Sequence, residues 1–234
     1  MILKQLFDHN TSTYTYLLAD PVSKEAVIID PVLEHFERDS KLLGELGLTL
    51  TFVLDTHVHA DHITGSGKLR NTFGALSVVS SAAGVQCADI SIEDGEVLHF
   101  GSYTLEARHT PGHTSGCVSF VVTTASQTLA FTGDTLLVRG TGRTDFQQGD
   151  PKELYHSIRH QLFTLPDNTV IYPGHDYKGH STSTVGEEKM FNPRIRLEVK
   201  EDRFIEIMNG LNLANPKFMD VALPANLSCG AIAV

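Results

Sequence analysis

Seven consecutive residues, Thr56-His57-Val58-His59-Ala60-Asp61-His62, carry three histidines and a carboxylate. Only Asp55 separates them from the apolar run Leu50-Thr51-Phe52-Val53-Leu54. Packing has no use for such a loop. Neutral imidazoles offer nitrogen ligands and aspartate an oxygen, and that mixture at that density suits a transition-metal ion. Three later segments carry matching groups: Thr110-Pro111-Gly112-His113, Thr132-Gly133-Asp134 and Tyr172-Pro173-Gly174-His175. The chemistry expected is therefore metal chemistry at His57, His59, Asp61, His62, His113, Asp134 and His175. His99, His109, His156, His160 and His180 fall outside the pattern and are read as ordinary surface or core residues. Ligand types alone would accommodate a pair of zinc ions as readily as a single transition-metal ion.

The elements that must position these groups are legible as alternating runs. Each ligand follows a β-type segment, which is how layered α/β proteins mount functional loops on a rigid scaffold. Ile2-Leu6, Thr13-Leu18, Ala26-Ile29, Leu50-Leu54 and Val78-Ser80 read as strands. Val97-Phe100 and Tyr103-Ala107 read as a hairpin turned at Gly101-Ser102, and Val118-Val122 with Thr128-Phe131 as another. Helices are expected near Val32-Gly47, over 62–73, at Lys152-Phe163 and at Glu201-Leu211, with a strand at Thr169-Tyr172. No linker interrupts the series, so residues 1–234 are expected to form one domain with a short C-terminal extension.

Composition narrows the partners. A net charge of -10 argues against a nucleic-acid partner, because such binding runs on clustered Lys and Arg. At 41% hydrophobic residues the chain can build a core without metal or disulfide support. No run of 18 apolar residues is present, so no membrane span is expected, and Met1–Asp8 does not read as a signal peptide. Three cysteines without CxxC spacing suggest no disulfide framework. Cys87 and Cys117 are read as buried packing residues, and the whole as a cytoplasmic protein.

The ligand motifs, in this order, resemble the metallo-β-lactamase superfamily. That resemblance implies an αββα sandwich, two mixed β-sheets flanked by helices, with the metal at one sheet edge. In the family as a whole His57, His59 and His113 match one metal position, and Asp61, His62, Asp134 and His175 a second, with Asp134 able to bridge. Fold alone does not define the reaction. Three longer stretches narrow it: His57 to Gly67, Phe131 to Gln147 with its Arg-Gly-Thr-Gly-Arg-Thr-Asp-Phe-Gln run, and Tyr172-Pro-Gly-His-Asp-Tyr177. Together with Pro224-Ala-Asn-Leu-Ser-Cys-Gly230 they resemble the persulfide dioxygenases. Those enzymes oxidise glutathione persulfide with O2 to sulfite and glutathione on one Fe(II) per chain.

By that resemblance His57, His113 and Asp134 hold the iron and carry catalysis, while His59, Asp61, His62 and His175 orient the ligands. Two imidazoles and one carboxylate leave positions open for substrate and O2. Arg139 and Arg143, just after Asp134, are expected to fork onto substrate carboxylates, with Arg194 guarding the same pocket. Tyr177 is expected to touch the substrate, and Cys229 to lie near it as a reactive thiol. Thr141 stands where some family members carry Cys. A homodimer and a rhodanese-type sulfurtransferase partner are further expectations. The alternative is a glyoxalase II-type thioester hydrolase with two metal ions. Such proteins usually append a longer helical domain, whereas the stretch after His175 shows one clear helix, which favours the dioxygenase.

Overall fold

The structure, a computed structural model, describes residues 1–216 and 218–231. The chain divides into two compact units: Met1–Ile92 with Leu98–Thr104 and Asn215–Val234, and Glu93–Val97 with Leu105–Ala214.

The first unit rests on a six-stranded mixed sheet, β1 (Ile2–Asp8), β2 (Thr13–Ala19), β3 (Glu25–Ile29), β4 (Thr49–Leu54), β5 (Leu76–Ser80) and β6 (Ile90–Ile92), in that order. β1, β2 and β3 pair antiparallel, and β3 to β6 run parallel. Val27-Ile28-Ile29 and Phe52-Val53-Leu54 are continuous apolar runs, as parallel strands covered by helices require. The crossover helices are α1 (Phe36–Leu46) and α2 (Ser66–Phe73). Phe36 and Leu43 of α1 and Leu69 of α2 pack with Leu17, Ile28 and Val53. Burying each such side chain contributes about 1.5–3 kcal/mol. α1 stops at Gly47 (φ 61°), where Leu48 N–H reaches back to Leu43 O at 2.9 Å. Because β3 and β4 are adjacent and parallel, Asp30 and the loop from Asp55 leave the same sheet edge side by side.

The second sheet is ordered β12-β11-β10-β9-β8-β7, with β7 (Val97–Phe100), β8 (Tyr103–His109), β9 (Val118–Thr123), β10 (Thr128–Gly133), β11 (Val170–Pro173) and β12 (Ser183–Thr184). β10 and β11 are parallel, so their exits carry Asp134 and His175 on neighbouring loops. α3 (Pro151–Ser157) continues into a π-type turn at Ile158–Leu162; α4 (Val185–Phe191) and α5 (Glu201–Asn209) follow. Leu154, Ile158 and Leu162 pack with Phe204 and Met208 over Ala130 and Ile171. The last helix, α6 (Met219–Leu227), belongs to the first unit.

The expected strands and helices are present, with shifted ends. The helix expected over 62–73 begins only at Ser66, because residues 57–64 are held as an irregular loop by side-chain hydrogen bonds. After His175 there are three helices among the described residues, not one. α4 is announced by Thr184, whose Oγ1 accepts from Glu187 N–H at 3.1 Å, but Gly186 in its first turn obscures it. α6 carries Pro224 internally, which hides it from periodicity. No helix among the described residues is long and apolar enough to cross a membrane.

Candidate metal centre

In the first unit, hydrogen bonds decide what each imidazole offers. Thr56 Oγ1 donates its one hydrogen to Asp30 Oδ2 at 2.8 Å, so its contact with His57 Nδ1 at 3.0 Å requires Nδ1–H as donor. His57 therefore presents a lone pair at Nε2, the form a metal needs. His59 is used differently: its Nε2–H donates to Asp30 Oδ1 at 3.1 Å. Asp61 Oδ2 accepts from His62 Nδ1 at 3.0 Å and from Thr13 Oγ1 at 3.0 Å. Ligand atoms of His59, Asp61 and His62 lie within 4.8 Å of one another, as do those of Asp30, Asp55 and His59.

Two buried carboxylates support this loop. Burial pushes the Asp30 carboxyl up, opposed by the nearby histidines and by the Thr56 N–H and O–H. Burial pushes Asp55 up as well; it accepts from Thr64 Oγ1 and Ser66 Oγ, both at 2.7 Å. A third support comes from the end of the chain. Asn226 Oδ1 accepts from Thr64 N–H at 2.8 Å, and its Nδ2 donates to His59 O and His62 O, each at 2.8 Å.

In the second unit, His113 Nδ1–H donates to the Arg143 carbonyl at 2.7 Å, which leaves the lone pair on Nε2. That nitrogen lies 3.6 Å from Asp134 Oδ2. The other carboxylate oxygen, Oδ1, accepts from His175 Nδ1–H at 2.7 Å. An imidazole lone pair and a carboxylate oxygen facing each other at that distance repel unless a cation is shared between them. The donor set thus fits a divalent metal. The turn back to His113 needs Gly142: a Cβ there would lie 2.3 Å from Asp134 O and 2.9 Å from the His113 ring.

The expected substrate residues divide. Arg139 pairs with Glu188, whose side chain is 0% exposed, and Arg139 N–H donates to the same carboxylate at 3.0 Å. Its guanidinium also contacts Ser183 Oγ and lies over Phe191. Arg143 forks onto Asp145 with two 2.6 Å bonds, and a third donor goes to Ala214 O at 2.7 Å. The Asp145 hydrogen bonds hold its guanidinium charged. Both arginines, expected to take substrate carboxylates, already hold carboxylates of the chain. Arg194 donates to Thr141 O at 2.7 Å, and no carboxylate among the described residues pairs with it; burial lowers its pKa. Tyr177 is 71% exposed and stacks parallel on His175.

The cysteine reading needs correcting. Cys229 is bonded to Cys87, so neither is the free thiol or the buried packing residue expected; both are half-buried. The partners stand 142 residues apart in sequence, and only the fold of the first unit brings them together. Cys117 is the buried free thiol expected, accepting from Thr114 N–H at 3.3 Å.

Several supporting groups escaped the sequence reading: Asp30, Asp55, Thr56, Thr64, Ser66 and Asn226. Asp30 and Asp55 each end an apolar parallel strand, a position that could have drawn attention to them.

Residues 10–175 match the metallo-β-lactamase superfamily. The protein named persulfide dioxygenase ETHE1, mitochondrial, from Homo sapiens is 54% identical over 98% of this chain and 89% of its own length. The crystal structure of ETHE1 from Myxococcus xanthus superposes with a TM-score of 0.94, at 49% identity, covering 99% of this chain and 100% of that one. A metallo-β-lactamase structure from Staphylococcus aureus superposes with a TM-score of 0.90 at 28% identity, over 100% of this chain and 74% of the other. The αββα fold class is the one found. More than half of all positions are shared with the human protein along nearly the whole chain, and this chain belongs to the metallo-β-lactamase superfamily, on its persulfide dioxygenase branch.

Proposed function

We propose that the protein oxidises glutathione persulfide with O2 and water to sulfite and glutathione. The balance is one persulfide, one O2 and one water giving one thiol and one sulfurous acid. The observation that carries this reading is the 54% identity to a persulfide dioxygenase over 98% of the chain. No observation favours the two-metal thioester hydrolase.

In this reading His57, His113 and Asp134 hold one Fe(II) within a single domain of residues 1–234. Bound there, the metal supplies a Lewis-acidic, redox-active centre with positions left open for the persulfide sulfur and O2. The chain's own groups prepare that centre. Thr56 and the Arg143 carbonyl fix the two histidine tautomers, and His175 holds Asp134 through its second oxygen. His59, Asp61 and His62 orient the loop, a task whose loss typically costs ~10–100-fold in metal affinity or activity. Arg194 carries the charge for a substrate carboxylate, and Tyr177 an exposed ring for its peptide backbone. A cytoplasmic setting, a homodimer and a sulfurtransferase that supplies persulfide complete the proposal; the mammalian relatives are named as mitochondrial.

The test is product analysis. Glutathione persulfide incubated with enzyme and O2 should yield sulfite and glutathione one to one, with none formed under nitrogen. Release of glutathione from a thioester without O2 would support the hydrolase instead.

A further inference from the structure

The chain's end is built onto the metal loop more closely than a passive tail requires. The Asn226 amide uses both its ends on that loop, accepting from Thr64 N–H and donating to the carbonyls of His59 and His62. Asn226 is 5% exposed, so these bonds are shielded from water. Thr64 in turn donates to Asp55, two residues before His57. The tail also lies directly against the loop and the helix that follows it: a Cβ on Gly230 would stand 2.3 Å from Thr64 O, and one on Gly67 of α2 would stand 2.2 Å from Cys229 O. A cavity of about 10 Å³, room for about one water, is lined by His57, His59, Asn226 and Cys229.

Three residues past Asn226, Cys229 sits at φ 56°, the left-handed position that ends α6: its N–H donates to Asn226 O at 3.1 Å, and Gly230 N–H donates to Ala225 O at 2.8 Å. The Cys87 bridge ties that helix end to the segment before β6. Both cysteines are half-buried, so the bridge lies outside the sealed core, and it opens by thiolate attack on one of its sulfurs.

We propose that Asn226 is a positioning residue for the metal loop and that the Cys87–Cys229 bridge is a thiol-cleavable tether that keeps it seated. A low-molecular-weight thiolate attacks one sulfur, forming a mixed disulfide and releasing the other cysteine as thiolate. A second thiolate attacks the mixed disulfide, giving the small-molecule disulfide and the second protein thiolate. Two electrons pass from two thiols to the bridge. With the tether open, the end of α6 is no longer anchored through Cys229, Asn226 loses its seat, and the loop carrying His57 to Thr64 loosens. The effect on metal retention rests on reading that loop as metal-binding; the loosening itself does not.

The experiment follows amide exchange at Thr64 in the metal-free full chain, and Fe(II) transfer to a chelator from the loaded chain, before and after dithiothreitol. Reduction should raise the thiol count from one to three, and both rates should rise at least ~10-fold, the lower end for groups that orient metal ligands. Reoxidation should restore both. Asn226→Asp should show the fast rates with the bridge intact, and Cys87→Ser should show them without reductant. If Cys87→Ser does not fold, the reduced wild-type chain answers the same question. Unchanged Thr64 exchange on reduction, or in Asn226→Asp, would overturn the proposal, as would three free thiols in the air-equilibrated protein. Faster Thr64 exchange with unaltered Fe(II) transfer would keep the clamp and count against the metal reading of the loop.

Discussion

His175 donates its Nδ1 hydrogen to Asp134 Oδ1 across 2.7 Å, leaving the carboxylate's other oxygen to face His113 Nε2 at 3.6 Å. In the proposed function one oxygen serves orientation and the other the metal. His175→Ala should lower iron affinity ~10–100-fold without abolishing it, whereas Asp134→Ala should abolish it. Competition against a chelator separates the two. Equal and complete loss in both would make His175 a ligand.

His57 and His59 are two residues apart and held in opposite senses. His57 presents Nε2 as an acceptor, while His59 spends Nε2–H on buried Asp30. His57→Ala should therefore empty the iron site. His59→Ala should retain most of the iron and reduce turnover ~10–100-fold. Iron content by elemental analysis beside turnover is the check, and an empty site in His59→Ala would favour the two-metal arrangement.

Arg139 neutralises Glu188, which has no exposure to water. Arg139→Ala should cost about 3 kcal/mol of stability, the lower end for breaking a buried pair, because Asn192 Nδ2 and Ser183 Oγ still donate to the carboxylate. Thermal unfolding measures this, and KM for glutathione persulfide should change little.

Arg194 should behave in the opposite way. Its guanidinium meets the Thr141 carbonyl and no carboxylate among the described residues. Arg194→Ala should raise KM for glutathione persulfide at least ~10-fold, as expected for a charge-assisted contact worth 1.5–3 kcal/mol, while a persulfide without carboxylates is turned over as before. An unchanged KM would remove Arg194 from the substrate site.

Asp20 gives the fold an acid limit. Its carboxylate accepts from Ser102 N–H at 2.7 Å, from Val22 N–H at 2.8 Å and from Ser102 Oγ, which hold its pKa at about 2. The folded value lies below the unfolded value of about 4. The contribution is therefore complete above about pH 4 and lost as pH falls toward 2. Asp20→Asn should be less stable than wild type at pH 6, with the gap closing on acidification. A gap independent of pH from 6 to 2 would contradict the assignment.

What the sequence revealed and what it concealed follow from range. Val27-Ile28-Ile29 and Phe52-Val53-Leu54 declare strands through local composition alone, and the candidate ligand histidines follow β-type runs. The roles of individual imidazoles depend on partners such as Asp30 and the Arg143 carbonyl, which no spacing rule pairs with them. Asn226 meets Thr64 across 162 residues, and Cys229 meets Cys87 across 142. Arg139 looked available because Glu188 lies 49 residues away in sequence, and Arg143 because spacing alone does not show that its guanidinium turns onto Asp145.

The central claim is an iron-dependent oxygenation at His57, His113 and Asp134. The most direct test purifies the protein under nitrogen, measures its metal content and follows O2 uptake on adding glutathione persulfide. About one iron per chain, with O2 consumption that disappears in Asp134→Ala, is the expected result for a single facial site. Two zinc ions per chain without O2 uptake would contradict it.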